Sequence, residues 1–139
     1  MKRVCADSNG WISYFAGDEK AELYAPLLEA EPPVPSIVFY EVYRWALREV
    51  GEDKADSCAA TMLQGGVLPL SSAAALEGAS IAHKHQLPAC DALIYAICRE
   101  HGLTLVTSDE DLKGLPGVEY HEDPRKEPGT RKARRAAKR

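Results

Sequence analysis

One stretch constrains the fold more than any other: Leu103-Thr104-Leu105-Val106-Thr107, an apolar and β-branched run with little polar alternation. A strand with one wet face alternates apolar and polar residues. A continuous run is expected of a strand covered on both faces, as in a parallel sheet packed between helices. Parallel strands need long crossover connections, and the rest of the chain supplies them. Arg3 to Asp7 reads as a first strand, with Val34 to Ile37, Val67 to Leu70 and Val118 to Tyr120 as further short ones. Helical spacing fills the intervals. Trp11, Ile12, Tyr14 and Phe15 form one apolar face, and Leu23, Tyr24, Leu27 and Leu28 form the next, with Asp18 as its expected cap.

A helix starting near Ser36 carries Val38, Val42 and Trp45, with Glu41 and Arg44 or Arg48 on its other side. Asp53 to Leu63 reads as a helix stopped by Gly65-Gly66, and Ser71 or Ser72 caps another running to about His85. Leu93, Ile94, Ile97 and Cys98 form a last stripe, ended by Gly102. Strands alternating with helices predict an α/β fold, a three-layer α/β/α sandwich around a central, mostly parallel sheet.

Four acids stand at the edges of these segments: Asp7, Glu41, Asp91 and Asp109. Asp7 and Asp109 follow strands, Asp91 opens a helix, and Glu41 sits on the early turns of another. Ligands of open α/β sheets bind outside the carboxyl ends of the strands. Acids far apart in sequence are thereby expected to converge there, in a pocket too negative to stay fully ionised without a cation. That points to a metal-dependent enzyme acting on phosphate esters. Any one of these acids, taken singly, reads better as a helix cap; the ordered set carries the inference. Asp111 divides between reaching the metal and being a solvated loop acid, the second favoured. Ser8 and Thr107, beside site acids, read either as orienting their carboxylates or as local turn caps.

The 139 residues and 45% apolar content suit one compact domain with a real core. No apolar run reaches membrane-spanning length, and the start of the chain is too brief for a signal peptide, so the expected location is cytoplasmic. Cys5, Cys58, Cys90 and Cys98 lack metal-site spacing and are expected to be reduced, mostly buried thiols. From Arg125 to Arg139 eight Lys or Arg stand against one acid; with −4 for the whole chain, residues 1–124 carry −11. An acidic body does not attract nucleic acid by general electrostatics, so any such binding must rest on metal and local basic groups. The organisation expected is a catalytic domain over residues 1–123 and a basic, flexible tail over 124–139 that is either disordered or in contact with RNA phosphates.

The segments Val4-Cys5-Ala6-Asp7-Ser8-Asn9, Pro35-Ser36-Ile37-Val38-Phe39-Tyr40-Glu41-Val42, Cys90-Asp91-Ala92-Leu93-Ile94 and Leu103-Thr104-Leu105-Val106-Thr107-Ser108-Asp109 occur in an order that resembles PIN-domain ribonucleases, and within them toxins of the VapC type. The resemblance covers roughly residues 1–120. It implies an endoribonuclease that uses Mg2+ or Mn2+, pairs as a homodimer and is blocked by a small antitoxin protein. Asp7, Glu41, Asp91 and Asp109 match the family's acidic quartet. Leu112 departs from it, standing where many members have an aromatic residue, and looks like packing. On this basis Asp7 and Asp91 are expected as central metal ligands. Asp109 completes the shell or holds a second ion, and Glu41 binds through water or orients the attacking water. Tyr40 and Tyr43, flanking Glu41, are weaker candidates for meeting a base. The competing expectation is a PIN-like nucleic-acid-binding or assembly module without nuclease activity.

Overall fold

The computed structural model describes residues 3–123; the basic segment 124–139, with the tail expected there, lies outside the described residues. Strand β1 (Val4–Ala6) runs into helix α1 (Ser8–Ala16), followed by α2 (Ala21–Glu29), β2 (Val34–Pro35), α3 (Ser36–Glu49) and α4 (Glu52–Leu63). Next come β3 (Val67–Leu68), α5 (Ser72–His85), α6 (Ala89–Glu100), β4 (Thr104–Thr107), a 3-10 turn over Glu110–Leu112, and β5 (Val118–Tyr120). The fold is α/β, and every strand pair is parallel.

β4 is central, between β1 and β5, with Cys5 opposite Leu105 and Leu105 opposite Val118. Its burial explains the run that first suggested it: Leu105, Val106 and Thr107 are all inside. Leu103 falls outside the strand because its N–H goes to the Cys98 carbonyl at 2.9 Å, closing α6.

The single sheet expected from sequence is two ladders, β1-β4-β5 and β2-β3. Proline is the reason. Pro33 and Pro35 have no N–H to donate, and Pro69 follows β3 directly, so neither short strand can extend. β2 still lies beside β1, and α3 and α6 pack against it.

The helices close over the strands through one main core containing Trp11, Tyr24, Ile94, Leu105 and Leu112. α1 meets α2 at Gly10, where an added Cβ would stand 2.7 Å from the Tyr24 ring. Asp18 does not cap α2 as expected. Its carboxylate accepts the Lys20 N–H at 2.9 Å, shaping the turn one residue earlier. Lys20 then lies buried against Asp123 at 3.4 Å, an ion pair that ties α2's start to the end of the described chain. The expectation of reduced thiols fails for two cysteines: Cys5 on β1 and Cys98 on α6 form a disulfide, whereas Cys58 and Cys90 are free.

Candidate active site at the carboxyl end of the sheet

β1 ends at Ala6 because Asp7 turns the chain into a helix. The Asp7 N–H still reaches the Val106 carbonyl at 2.9 Å, holding the residue against β4. Its carboxylate accepts the Ser8 N–H at 2.7 Å, so it caps α1. The other oxygen accepts the Thr107 hydroxyl at 2.7 Å. Asp7 is 3% exposed. Burial pushes its pKa above the ordinary value. The bonds from Thr107 and Ser8 oppose that rise, and the nearby Asp109 charge adds to it.

The same Thr107 oxygen accepts the Asp109 N–H at 2.9 Å. The Asp109 carboxylate in turn accepts the Asp111 N–H at 3.0 Å, capping the 3-10 turn. A continuous hydrogen-bonded path thus links Asp7, Thr107, Asp109 and Asp111. Asp91 enters from the first turn of α6. Oxygens of Asp91, Asp109 and Asp111 all lie within 4.8 Å of one another.

Neither Asp7 nor Glu41 is in that close triplet. Asp7 adjoins it through Thr107. Glu41 lies on the wall of a groove of about 320 Å3, with Ser8 and Cys90, the neighbours of Asp7 and Asp91. Burial raises the Cys90 thiol pKa, and the charges of Glu41 and Asp91 raise it further, so all three groups are close. The raised value keeps that thiol protonated, a poor ligand.

Asp111 corrects the sequence expectation. The sequence favours a solvated acid there, but Asp111 is 6% exposed, because fully buried Leu112 pulls the turn inward. The signal was present: two acids two residues apart, directly after a buried strand. Sequence reasoning missed Ser108, whose hydroxyl shares a buried 2.7 Å hydrogen bond with the Tyr24 hydroxyl. Nothing in the local sequence pairs residues 84 positions apart. Burial and the surrounding acids push the Tyr24 pKa up to about 12, so it stays neutral beside the site.

The donor set fits a hard divalent cation. Mg2+ and Mn2+ prefer carboxylate and water oxygens, and three carboxylates within 4.8 Å supply oxygen alone.

The PIN domain family matches residues 4–118. Among solved structures, a toxin–antitoxin complex from Klebsiella pneumoniae is 26% identical, with TM-score 0.72, covering 86% of this chain and 99% of that one. DNA-bound VapBC from Salmonella typhimurium is 19% identical, with TM-score 0.67, over 88% of this chain and 98% of that one. VapC20 of Mycobacterium tuberculosis, a toxin that cleaves the sarcin-ricin loop, is 21% identical, with TM-score 0.61, over 74% and 85%. Among curated proteins nothing matches. A family match running from the first strand to the last makes this chain a member of the PIN-domain family, similar in structure to toxins of the VapC type.

Proposed function

We propose that the chain is a metal-dependent endoribonuclease, the toxin of a toxin–antitoxin pair, acting in the cytoplasm as a homodimer held in check by a small antitoxin. The observation that carries this is the triplet Asp91, Asp109 and Asp111 at the mouth of a parallel sheet, with Asp7 joined to it through Thr107. Membership of the PIN-domain family supports it, as does the likeness to a toxin–antitoxin complex at 26% identity. No described helix is long and apolar enough to cross a membrane.

Asp7, Asp91 and Asp109 are the proposed ligands for Mg2+ or Mn2+, and Asp111 joins them by its position. When bound, such a cation offsets charge on the phosphate and lowers the pKa of an attacking water. The chain supplies the rest. Thr107 and the Ser8 N–H hold Asp7 in one orientation. Glu41, at the groove, orients the water and takes its proton as the water oxygen bonds to phosphorus; the P–O bond to the leaving oxygen breaks, and that oxygen takes a proton from solvent. Tyr24, neutral and bonded to Ser108, stiffens the strand end that presents Asp109.

The test is cleavage of total RNA by the wild type and Asp7→Asn, with EDTA, Mg2+ and Mn2+. Discrete fragments that need both the metal and Asp7 are expected. No cleavage under any metal by the folded wild type would overturn the nuclease assignment and favour a binding or assembly module.

A further inference from the structure

The groove beside the acids carries a second chemistry. Tyr40, Arg44 and Arg48 recur at intervals of four along α3 and so share one stripe. All three line the groove, together with Glu41 and Trp45. A rise of about 1.5 Å per residue sets the two arginines about 6 Å apart along the helix axis. Tyr40, at the end of the stripe nearest the helix start, is 57% exposed. Among the described Phe, Trp and Tyr residues Tyr40 alone is exposed, whereas Trp11 and Tyr24 are buried. Trp45 packs towards Ala46 and Ala55, which anchors the groove wall.

Charge separates this stripe from its surroundings. Residues 1–124 carry −11, and Lys20 is buried against Asp123. Arg44 and Arg48 place two cations on a groove that Glu41 also lines and that reaches Ser8 and Cys90, the neighbours of Asp7 and Asp91. Arg48 pairs with Glu49 at 2.9 Å, but both are well exposed. An exposed pair of that kind contributes little and exchanges readily for a phosphate. Guanidinium groups on a groove beside an exposed aromatic ring suit a single strand of nucleic acid, phosphates on the cations and a base on the ring.

Resting on the nuclease assignment above, we infer that Tyr40, Arg44 and Arg48 form the subsite for single-stranded RNA flanking the scissile phosphate. Arg44 and Arg48 take phosphate oxygens, and Tyr40 stacks on the neighbouring base. The strand crosses the outer face of α3 and enters the acidic site past Glu41.

The experiment measures binding of a short, fluorescein-labelled single-stranded RNA of mixed sequence to the full chain carrying Asp7→Asn, in Mg2+, across a salt series. Wild-type cleavage of the same RNA is followed alongside. Adding Arg44→Gln and Arg48→Gln is expected to lower affinity and flatten the slope of log K against log salt by about 1.4, about 0.7 per lost phosphate contact. Tyr40→Ala is expected to weaken binding roughly 5- to 100-fold with the slope unchanged, and Tyr40→Phe to restore it. Affinity and slope unchanged in both variants would overturn the subsite and leave the stripe to a protein partner. No RNA binding by the parent would overturn it as well. If wild type does not cleave but RNA binding depends on the stripe, the stripe's contact with single-stranded RNA stands and the nuclease assignment falls. If wild type cleaves and the stripe variants bind and cleave as before, the reverse holds.

Discussion

The two halves of the acidic site are built differently. On the β1 side, Asp7 is held at both oxygens: Ser8 and Thr107 donate to them, and its own N–H is bonded to β4. On the α6 side, Asp91 comes from a helix and Asp109 and Asp111 from a short 3-10 turn, and their carboxylates meet within 4.8 Å. The first half is one carboxylate held by two neutral donors. The second half gathers three carboxylates, whose mutual repulsion a dication would offset. A relay through Thr107 couples the halves, so that the placement of Asp7 and that of Asp109 are set together.

The comparison breaks most sharply at Asp111. If the α6 side is the metal centre, Asp111→Asn should abolish metal-dependent cleavage and weaken Mn2+ binding, read by calorimetry, by more than the roughly 10- to 100-fold typical of an outer-shell change. Cleavage and Mn2+ affinity like those of wild type would remove Asp111 from the metal centre. Thr107→Val tests the coupling between halves. It removes the hydroxyl that serves both Asp7 and Asp109 and keeps the β-branched shape that β4 needs. A roughly 10- to 100-fold loss of activity is expected, with a lower melting temperature from the two buried bonds lost, and Thr107→Ser should restore both. Equal loss in both variants would show that packing matters there rather than the hydroxyl.

How far the sequence foretold these halves follows from how each is held. The Asp7 side is made of local signals, an acid after a strand and before a helix, and β4 was readable from its unbroken apolar run. The triplet was partly readable, because Asp91 and Asp109 mark element ends, whereas the burial of Asp111 depends on where Leu112 packs. Contacts between distant residues left no trace in spacing. Tyr24 with Ser108, Lys20 with Asp123, and Cys5 with Cys98 at a separation of 93 exist only after the core closes. The split of the sheet was legible in hindsight from Pro33, Pro35 and Pro69, each of which removes a ladder donor.

The smallest expected effect sharpens the β1 side. Burial raises the pKa of Asp7 above its ordinary 3.8, despite the bonds from Thr107 and Ser8. The folded chain therefore holds that proton more tightly than the unfolded chain does. Between 3.8 and the raised value the folded state binds more protons, so this group's contribution to stability declines as pH rises through that window. Below the window both states are protonated and the penalty is absent; above it both are ionised and the penalty is constant. Urea unfolding in EDTA, compared between wild type and Asp7→Asn, isolates the effect. Wild type should lose stability relative to the variant as pH rises from 3.8, and the difference should then level off. A difference that grows in favour of wild type would mean that the two hydrogen bonds outweigh burial, and that the folded protein favours the ionised Asp7 even without a cation.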